Sequence, residues 1–531
     1  MICANRIAGR QRLRSILFAC SFIFIAFFYL ATGLPYFDQT NYHFDEGIVM
    51  QGASSILQGA LPYRDFWTLY SPGPFFSLAA VFKLFGANLW AAIIFAISVS
   101  SITAYLIFRF MRDLFPWPLA LPVSLLSLAC FKSYMVYNRP SQFALLFCIV
   151  SWFYIARFIE NRGKRSLIMI GVISGIIGLF RIDFGIYNLI SVVTVITLKN
   201  IYEHKPAHKV ILSLFLPFVI INLSPFVLLI ISGDFSLTAK YILSGTWAAN
   251  RYLPLPALKA DTFIFYLPLA AAILSSLLLA GRKNKDKLFW LKLYFTFLVI
   301  FLYYYAVLRL DRPHLFPSLI TAVVLLALLC GGSLLLGRRI FLLSASIISC
   351  FFLFYAATPG IQGFAIKLQK SKSDIPKIEG LYDISPTARS QAEAIKYIQD
   401  RTGSGEKIFV ANPSHGTAVY NDLMFYFLSG RKPATKYYQF EPGFTNTRII
   451  QRKIISDLKA NKNRYIVIWD TMKDIVEPNA SAKPGGITDL DDFIRQYYRL
   501  ERKFSDYSIL KIIPAGQESP TISGLLPAGK N

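Results

Sequence analysis

Acidic residues are scarce in this chain: 30 Asp and Glu stand against 55 Lys and Arg in 531 residues, a formal charge of +25. Charge of either sign is also sparse, at 16% of residues, below the roughly 25% of an ordinary soluble domain. The six cysteines, Cys3, Cys20, Cys130, Cys148, Cys330 and Cys350, all precede residue 359 and are spaced for neither a zinc site nor a disulfide framework. Residues 359–531 therefore have to fold on an apolar core, whatever the redox state of their compartment. There is no internal repeat, no low-complexity tract, no phosphate loop, no metal quartet and no Ser-His-Asp order, which leaves hydrolase and ATPase readings without support. Gly403-Ser404-Gly405 lacks the spacing of a nucleotide loop and reads as a helix end before a strand, and His415 stands alone. Asn479-Ala480-Ser481 has the glycosylation pattern, which is common by chance.

What is abundant is oil. Hydrophobic residues make up 55% of the chain, with mean hydropathy +0.47. A spanning helix needs roughly 20 mostly apolar residues, because a bilayer offers no water to an unsatisfied backbone group. Spans are expected near 15–34, 87–108, 116–134, 141–159, 166–180, 184–198, 209–231, 262–281, 288–308, 314–336 and 340–358, about eleven in all. The pair 166–180 and 184–198 is short for the hydrocarbon and reads as tilted spans or a re-entrant hairpin. The first span is long and has no small-residue cleavage pattern, so it is expected to stay as an uncleaved anchor.

Loop charge supplies a direction. One set of connections carries Arg6, Arg10, Arg12 and Arg14, then Arg109 and Arg112, then Arg157, Arg162, Lys164 and Arg165. It continues with Lys199, Lys205 and Lys209, then Arg282, Lys283, Lys285 and Lys287, and finally Arg338 and Arg339. By the positive-inside rule these face the cytoplasm, with the N-terminus inside and the C-terminal region outside. The positive charge is thus a topology signal and a contact for anionic lipid, and it does not call for nucleic acid. Asp38, Asp45, Glu46, Asp65, Asp183, Asp234 and Asp311 fall on the opposite side.

The organisation expected is a membrane domain, 1–358, with a first outer loop at 35–86 and a second at 232–261, then an extracytoplasmic α/β domain, 359–531, with a flexible tail after 514. In the first loop Val49, Ala53, Ile56, Leu57 and Ala60 recur at helical spacing, predicting an amphipathic helix along the membrane surface that Gly59 and Pro62 end. Pro62 to Trp67 and Tyr70-Ser71-Pro72-Gly73-Pro74 form an aromatic turn before a second amphipathic stretch, Phe75 to Phe85. The 232–261 loop reads as a lid. Beyond 359 the pattern predicts helices at 390–401, 418–428, 447–460 and 488–498 and strands at 407–411 and 464–470.

Ionisable groups at a membrane boundary often mark function. Asp45 has two readings: a general base that accepts a hydroxyl proton, with Glu46 tuning charge or binding a cation, or the N-cap of the surface helix. Asp65 pairs with Arg64 in a local turn or supplies a second carboxylate. Arg139, Arg181 and Asp183 lie at outer span ends, where Arg181 and Asp183 pair to reduce burial cost. Arg309-Leu310-Asp311-Arg312-Pro313-His314 sets two guanidiniums, an acid and an imidazole at one boundary, suited to clamping phosphate oxygens, or else to snorkelling beside an Asp-Arg pair. Lys240 and Arg251 add cations if their loop folds over the site.

The run His43-Phe44-Asp45-Glu46-Gly47, followed by Leu57 to Trp67 and Pro72-Gly73-Pro74, resembles the first outer loop of bacterial GT-C glycosyltransferases, relatives of the protein O-mannosyltransferases and of the lipid A aminoarabinose transferases. Arg309 to His314 is similar to the Arg and Asp before His that many of them carry at a later outer boundary. The motif match covers roughly forty residues and the topological likeness nearly all of the chain. The resemblance implies a mainly α, polytopic helical bundle of GT-C type with a C-terminal extracytoplasmic α/β domain, in the bacterial inner membrane. It implies a sugar donor on polyprenyl phosphate and an inverting attack by an acceptor hydroxyl of a glycan, lipid or protein. The catalytic or metal-associated role passes to Asp45 first and Glu46 second, with Asp65 as the candidate second carboxylate. Phosphate binding falls to Arg309, Arg312, His314, Lys240 and Arg251. Members differ in their use of a divalent metal ion, so the cofactor is left open. The rival reading is a transporter or flippase of lipid-linked sugars, which the lack of repeated halves disfavours.

Overall fold

The protein is described here by a computed structural model covering residues 44–131, 138–206, 208–244, 249, 251–259, 262–331, 372–381, 387–417, 420–470 and 479–514, with Phe44 and Asp45 described by their backbone. The spans expected at 15–34 and 340–358, and the tail after 514, lie outside these residues.

The apolar runs form helices whose ends are set by polar caps, proline and charge. The first loop holds α1 (Phe44–Leu57) and α2 (Gly73–Phe85). Then come α3 (Leu89–Leu114), α4 (Trp117–Phe131), α5 (Pro140–Asn161), α6 (Lys164–Phe180), α7 (Ile182–Tyr202) and α8 (His208–Ile231). After α9 (Phe235–Leu243) the bundle resumes with α10 (Leu267–Leu279), α11 (Lys287–Leu308) and α12 (Arg312–Gly331). Asn88 caps α3, its Oδ1 accepting from Ala91 N at 2.9 Å, and Asp286 caps α11 through Phe289 N at 2.7 Å. Among the described residues six helices, α3, α5, α7, α8, α11 and α12, are long and apolar enough to cross a membrane.

The short 166–180 run is α6, which joins α7 through one residue, Arg181, and packs tightly on α8. Gly171, Gly175 and Gly178 share a face of α6 on which an added Cβ would meet Leu214 O at 2.6 Å, Ile221 Cδ1 at 2.9 Å and Asn222 Oδ1 at 2.6 Å. Small residues on that face let the backbones approach where lipid gives no hydrophobic drive to association. The apolar window of α8 is only 6% buried, against 50–67% for the other long spans, so its remaining surface is left for lipid.

The C-terminal unit contains α13 (Ala388–Arg401), β1 (Lys407–Ala411), α14 (Leu423–Ser429), β2 (Lys432–Pro433), α15 (Arg448–Ala460), β3 (Tyr465–Trp469), α16 (Asp489–Tyr497), β4 (Tyr498–Phe504) and β5 (Tyr507–Ile512). The sheet order is β2-β1-β3-β5-β4, with β1 parallel to β2 and β3 and the last two strands an antiparallel hairpin. The expected helices and strands are present within a few residues, and the hairpin is an addition. His415 does not stand alone: it is buried after β1, with Nδ1 2.6 Å from Asp491 Oδ1 on α16.

Helix α1 departs from expectation. Residues 46–53 are all buried, packed between α2 and α14, so α1 is a covered helix and not one lying open on a membrane surface. An added Cβ at Gly47 would come within 2.9 Å of Met424 N, which shows how closely α14 sits over it.

The α/β unit is fastened to the bundle by polar contacts. Asp234, 1% exposed, meets Lys436 at 2.6 Å and Lys453 at 3.1 Å and accepts from the Tyr437 hydroxyl at 2.8 Å. Tyr241 of α9 donates to Pro442 O at 2.7 Å. Trp67 donates its backbone N–H to Lys436 O at 2.9 Å and stacks on Phe444 with centroids 3.9 Å apart.

Candidate active site

The site forms where helix boundaries on the α/β side of the bundle meet. Arg181 is the one-residue hinge between α6 and α7, extended at φ −151° and ψ 109°, so its side chain leaves the bundle axis where the chain reverses. Asp183, in the first turn of α7, holds that guanidinium with two bonds, Nε to Oδ1 at 3.0 Å and Nη2 to Oδ2 at 2.6 Å. The third side of the guanidinium faces α11: Nη1 donates to the Tyr305 hydroxyl at 3.2 Å, and the Arg181 Cζ lies 4.4 Å from the ring centroid.

Tyr305 leads to the 309–314 cluster. Its ring centroid is 5.3 Å from that of His314, whose Nδ1 lies 2.5 Å from Asp311 Oδ1. The other Asp311 oxygen accepts from Arg309 Nε at 3.0 Å. Burial pushes the Asp311 carboxyl up, but the bonds from His314 and Arg309 outweigh it and hold the group below the usual carboxylate range. Arg139, the residue before α5, is within electrostatic reach of the same Tyr305 phenol. Arginines from three separate boundaries, Arg139, Arg181 and Arg309, thus gather around one tyrosine and one histidine.

The first loop closes one side. Gly73 abuts the end of α6 so closely that a Cβ would fall 2.6 Å from Leu179 O, which accounts for glycine within Pro72-Gly73-Pro74. Tyr70, three residues earlier, lies near both Arg181 and Arg251. Tyr63 holds Tyr70 from behind, donating to its carbonyl at 2.9 Å, and adopts φ 70°, a left-handed conformation rare for an aromatic residue. Gly73→Ala is expected to destabilise by about 1–3 kcal/mol through overpacking against a carbonyl that cannot yield, and to shift this loop away from Arg181. A thermal melt together with the transfer assay described below checks both.

Of the residues expected at the site, Arg309 and His314 are brought together. Arg312 is exposed at the start of α12, and Lys240 is exposed on α9. Arg251 is committed elsewhere, to Glu441 of the α/β unit at 2.5 Å. Asp65 is the turn partner of Arg64 at 2.6 Å and also accepts from Leu61 N at 2.8 Å. The Arg64 hydrogen bond, chiefly, lowers its carboxyl, an exposed group turned to local structure. Glu46, 2% exposed, accepts from Asn138 N at 2.8 Å and Asn138 Nδ2 at 2.9 Å. Asp45 lies within the first turn of α1 and so does not stand before the helix as a cap. Arg139, Arg181 and Asp183 read as structural boundary residues in the sequence, and the Arg181–Asp183 pair is indeed formed. The signal that they belong to the site is positional: each stands at the same end of the bundle as Arg309. Among the described residues, no three His, Cys, Asp or Glu are grouped to hold a metal ion.

A family described as dolichyl-phosphate-mannose-protein mannosyltransferase matches residues 70–227. No curated protein matches the chain closely enough to count as a relative. Among solved structures, ArnT from Cupriavidus metallidurans bound to undecaprenyl phosphate superposes with TM-score 0.56 at 12% identity, over 94% of this chain and 98% of that one. The apo state of the same ArnT gives 0.54 at 11% identity, over the same shares of the two chains. The archaeal oligosaccharyltransferase AglB from Archaeoglobus fulgidus, in complex with an inhibitory peptide and a dolichol-phosphate, gives 0.50 at 10% identity, over 95% of this chain and 75% of that one.

Proposed function

We propose that this chain, a multi-pass membrane glycosyltransferase of the GT-C type, transfers a sugar from a polyprenyl-phosphate donor to a hydroxyl acceptor on the face of the membrane that carries the α/β domain. The observation that carries this reading is the gathering of Arg139, Arg181 and His314 around Tyr305, with Arg309 beside them on the Asp311 carboxylate that holds His314. Polyprenyl phosphate is an anion on a greasy tail, and a cationic boundary between lipid-facing helices suits both halves of it.

The acceptor oxygen attacks the anomeric carbon, and the bond from that carbon to the phosphate oxygen breaks. The electron pair leaves with the phosphate, and the acceptor proton passes to a carboxylate, which we assign to Asp45. Guanidiniums fixed in advance by Asp183 and Asp311 need no reorganisation when negative charge grows on the leaving phosphate, and such preorganisation is where their effect on rate lies.

Loop charge supports this choice of face. Lys287 pairs with Glu160 at 2.6 Å and Arg162 meets Glu203 and Asn200, so the basic ends of α5, α7 and α11 share the surface opposite the site. With that surface cytoplasmic, the site and the α/β domain are extracytoplasmic, in a bacterial inner membrane.

Membranes bearing the protein and a labelled polyprenyl-phosphate sugar test the reading. Transfer to added glycan, lipid or protein acceptor should require the protein, and free polyprenyl phosphate should compete. Arg181→Ala should lower kcat/KM about 10²-fold, the size of effect seen when one fixed donor to a developing anion is removed. Vesicles in which the donor crosses the bilayer and no product forms would overturn the reading in favour of transport.

A further inference from the structure

Glu46 is the one carboxylate of the first loop whose side chain is both buried and described, and the proposed mechanism gives it no task. Both of its oxygens are reached by one residue 92 positions away: Oε2 accepts the backbone N–H of Asn138 at 2.8 Å and Oε1 the side-chain Nδ2 at 2.9 Å. Asn138 Nδ2 also donates to Ala92 O of α3 at 3.0 Å. One turn along α5, Gln142 reaches Ala96 O at 3.4 Å and Ser100 Oγ of the same α3. A seam of buried polar contacts therefore joins the start of α1, the outer half of α3 and the start of α5.

The residue after Asn138 is Arg139. It precedes Pro140, the first residue of α5, and stands at the N-cap position of that helix. Its backbone is held on one side by the latch and on the other by proline, whose ring fixes φ near −65°. Asp45 precedes Glu46 in the first turn of α1, so fixing Glu46 against Asn138 also fixes the rotation of α1 about its axis, and with it the place of Asp45.

We infer that Glu46 is a positioning residue: with Asn138 it forms a two-bond latch that sets the phosphate-facing Arg139 and the base-bearing turn of α1 in register with each other. Its oxygens accept and do not exchange a proton with substrate. This rests on the proposed function, since it assigns Arg139 to the donor phosphate. The ligand affected is the phosphate of the polyprenyl donor.

Glu46→Gln keeps shape and sets an amide N–H against a donor of Asn138, so it breaks one bond of the latch. Asn138→Ala removes the side-chain bond from the other partner. Each variant is expected to weaken binding of undecaprenyl phosphate and to raise the donor KM about 10-fold. The kcat should stay within about 3-fold of wild type, and the acid limb of the pH–rate profile should not move. The double variant should be no worse than the poorer single one, in binding and in melting temperature alike. A kcat loss above about 10²-fold in Glu46→Gln with disappearance of the acid limb would put Glu46 in the chemistry and overturn the inference. Additive melting shifts would show that the two residues are not a latch, and unchanged phosphate binding in both variants would show that the latch positions nothing. Wild-type protein that neither binds undecaprenyl phosphate nor transfers sugar would sink the proposed function, and the positioning role with it, even if the melting shifts were coupled.

Discussion

Asp45→Asn should lower the rate of sugar transfer about 10³-fold, within the 10²–10⁴-fold range of a lost general base, while leaving the affinity for polyprenyl phosphate near that of wild type. The assignment proceeds by the chemistry of the other acids among the described residues on that side of the bundle. Asp183 faces a guanidinium with both oxygens. Asp311 is divided between His314 and Arg309, and Asp65 is drawn down by Arg64 in an exposed turn. Glu46 is filled by Asn138, Glu441 by Arg251 and Gln439, and Asp234 by two lysines and a tyrosine. A carboxylate held by fixed donors is a weak base, because each donor favours the charged form. Asp45 is the acid that the first-loop motif places in the opening turn of α1, one residue from the latch. Its loss should abolish the acid limb of the pH–rate profile that Glu46→Gln leaves in place. Transfer by Asp45→Asn within about 3-fold of wild type would remove it from the mechanism.

The bundle was legible because lipid demands long uninterrupted runs: α3, α5, α7, α8, α11 and α12 coincide with expected spans. The α/β helices were legible for the ordinary reason that α13, α15 and α16 carry one apolar stripe each. The hairpin β4–β5 escaped notice because Tyr498 to Phe504 holds four charged residues on an edge strand, where the pattern of burial gives little alternation. The surface reading of α1 rests on Val49, Ala53, Ile56, Leu57 and Ala60. Ile48, Met50, Gly47 and Gly52 fill in the other side and mark a helix covered over 46–53, but what covers it, α14, lies hundreds of residues on. The site was half legible for the same reason. Arg309 to His314 is contiguous and shows itself, whereas Arg139 and Arg181 become part of it only through the packing of α5 and α7 against α11, with α6 held between α5 and α7. Sequence spacing carries no trace of the bond from Glu46 to Asn138.

The α/β unit can be a passenger on the bundle or a wall of the site, and Trp67 separates the two. Its ring is fully buried between three parts of the chain. The backbone N–H reaches Lys436 O at 2.9 Å, Nε1 donates to Thr238 Oγ1 at 3.1 Å, and the ring lies 3.9 Å from that of Phe444, tilted by 8°. Trp67→Ala should destabilise by about 3–5 kcal/mol, the usual range for a large aromatic truncated in a packed site. Trp67→Phe keeps the stack, leaves the Thr238 hydroxyl without its donor, and should lose about 1–3 kcal/mol. Thermal melting of the two variants measures the order. The activity arm decides the architecture. Trp67 is three residues before Tyr70 and six before Gly73, so a first loop freed from the α/β unit loses its hold at the end of α6 beside Arg181. If the unit is a wall, Trp67→Ala below its melting temperature should raise the donor KM by about 10-fold or more, and Trp67→Phe should fall between it and wild type. If transfer by Trp67→Ala is normal at a temperature where it remains folded, the α/β domain is held against the bundle for some purpose other than the reaction beneath it.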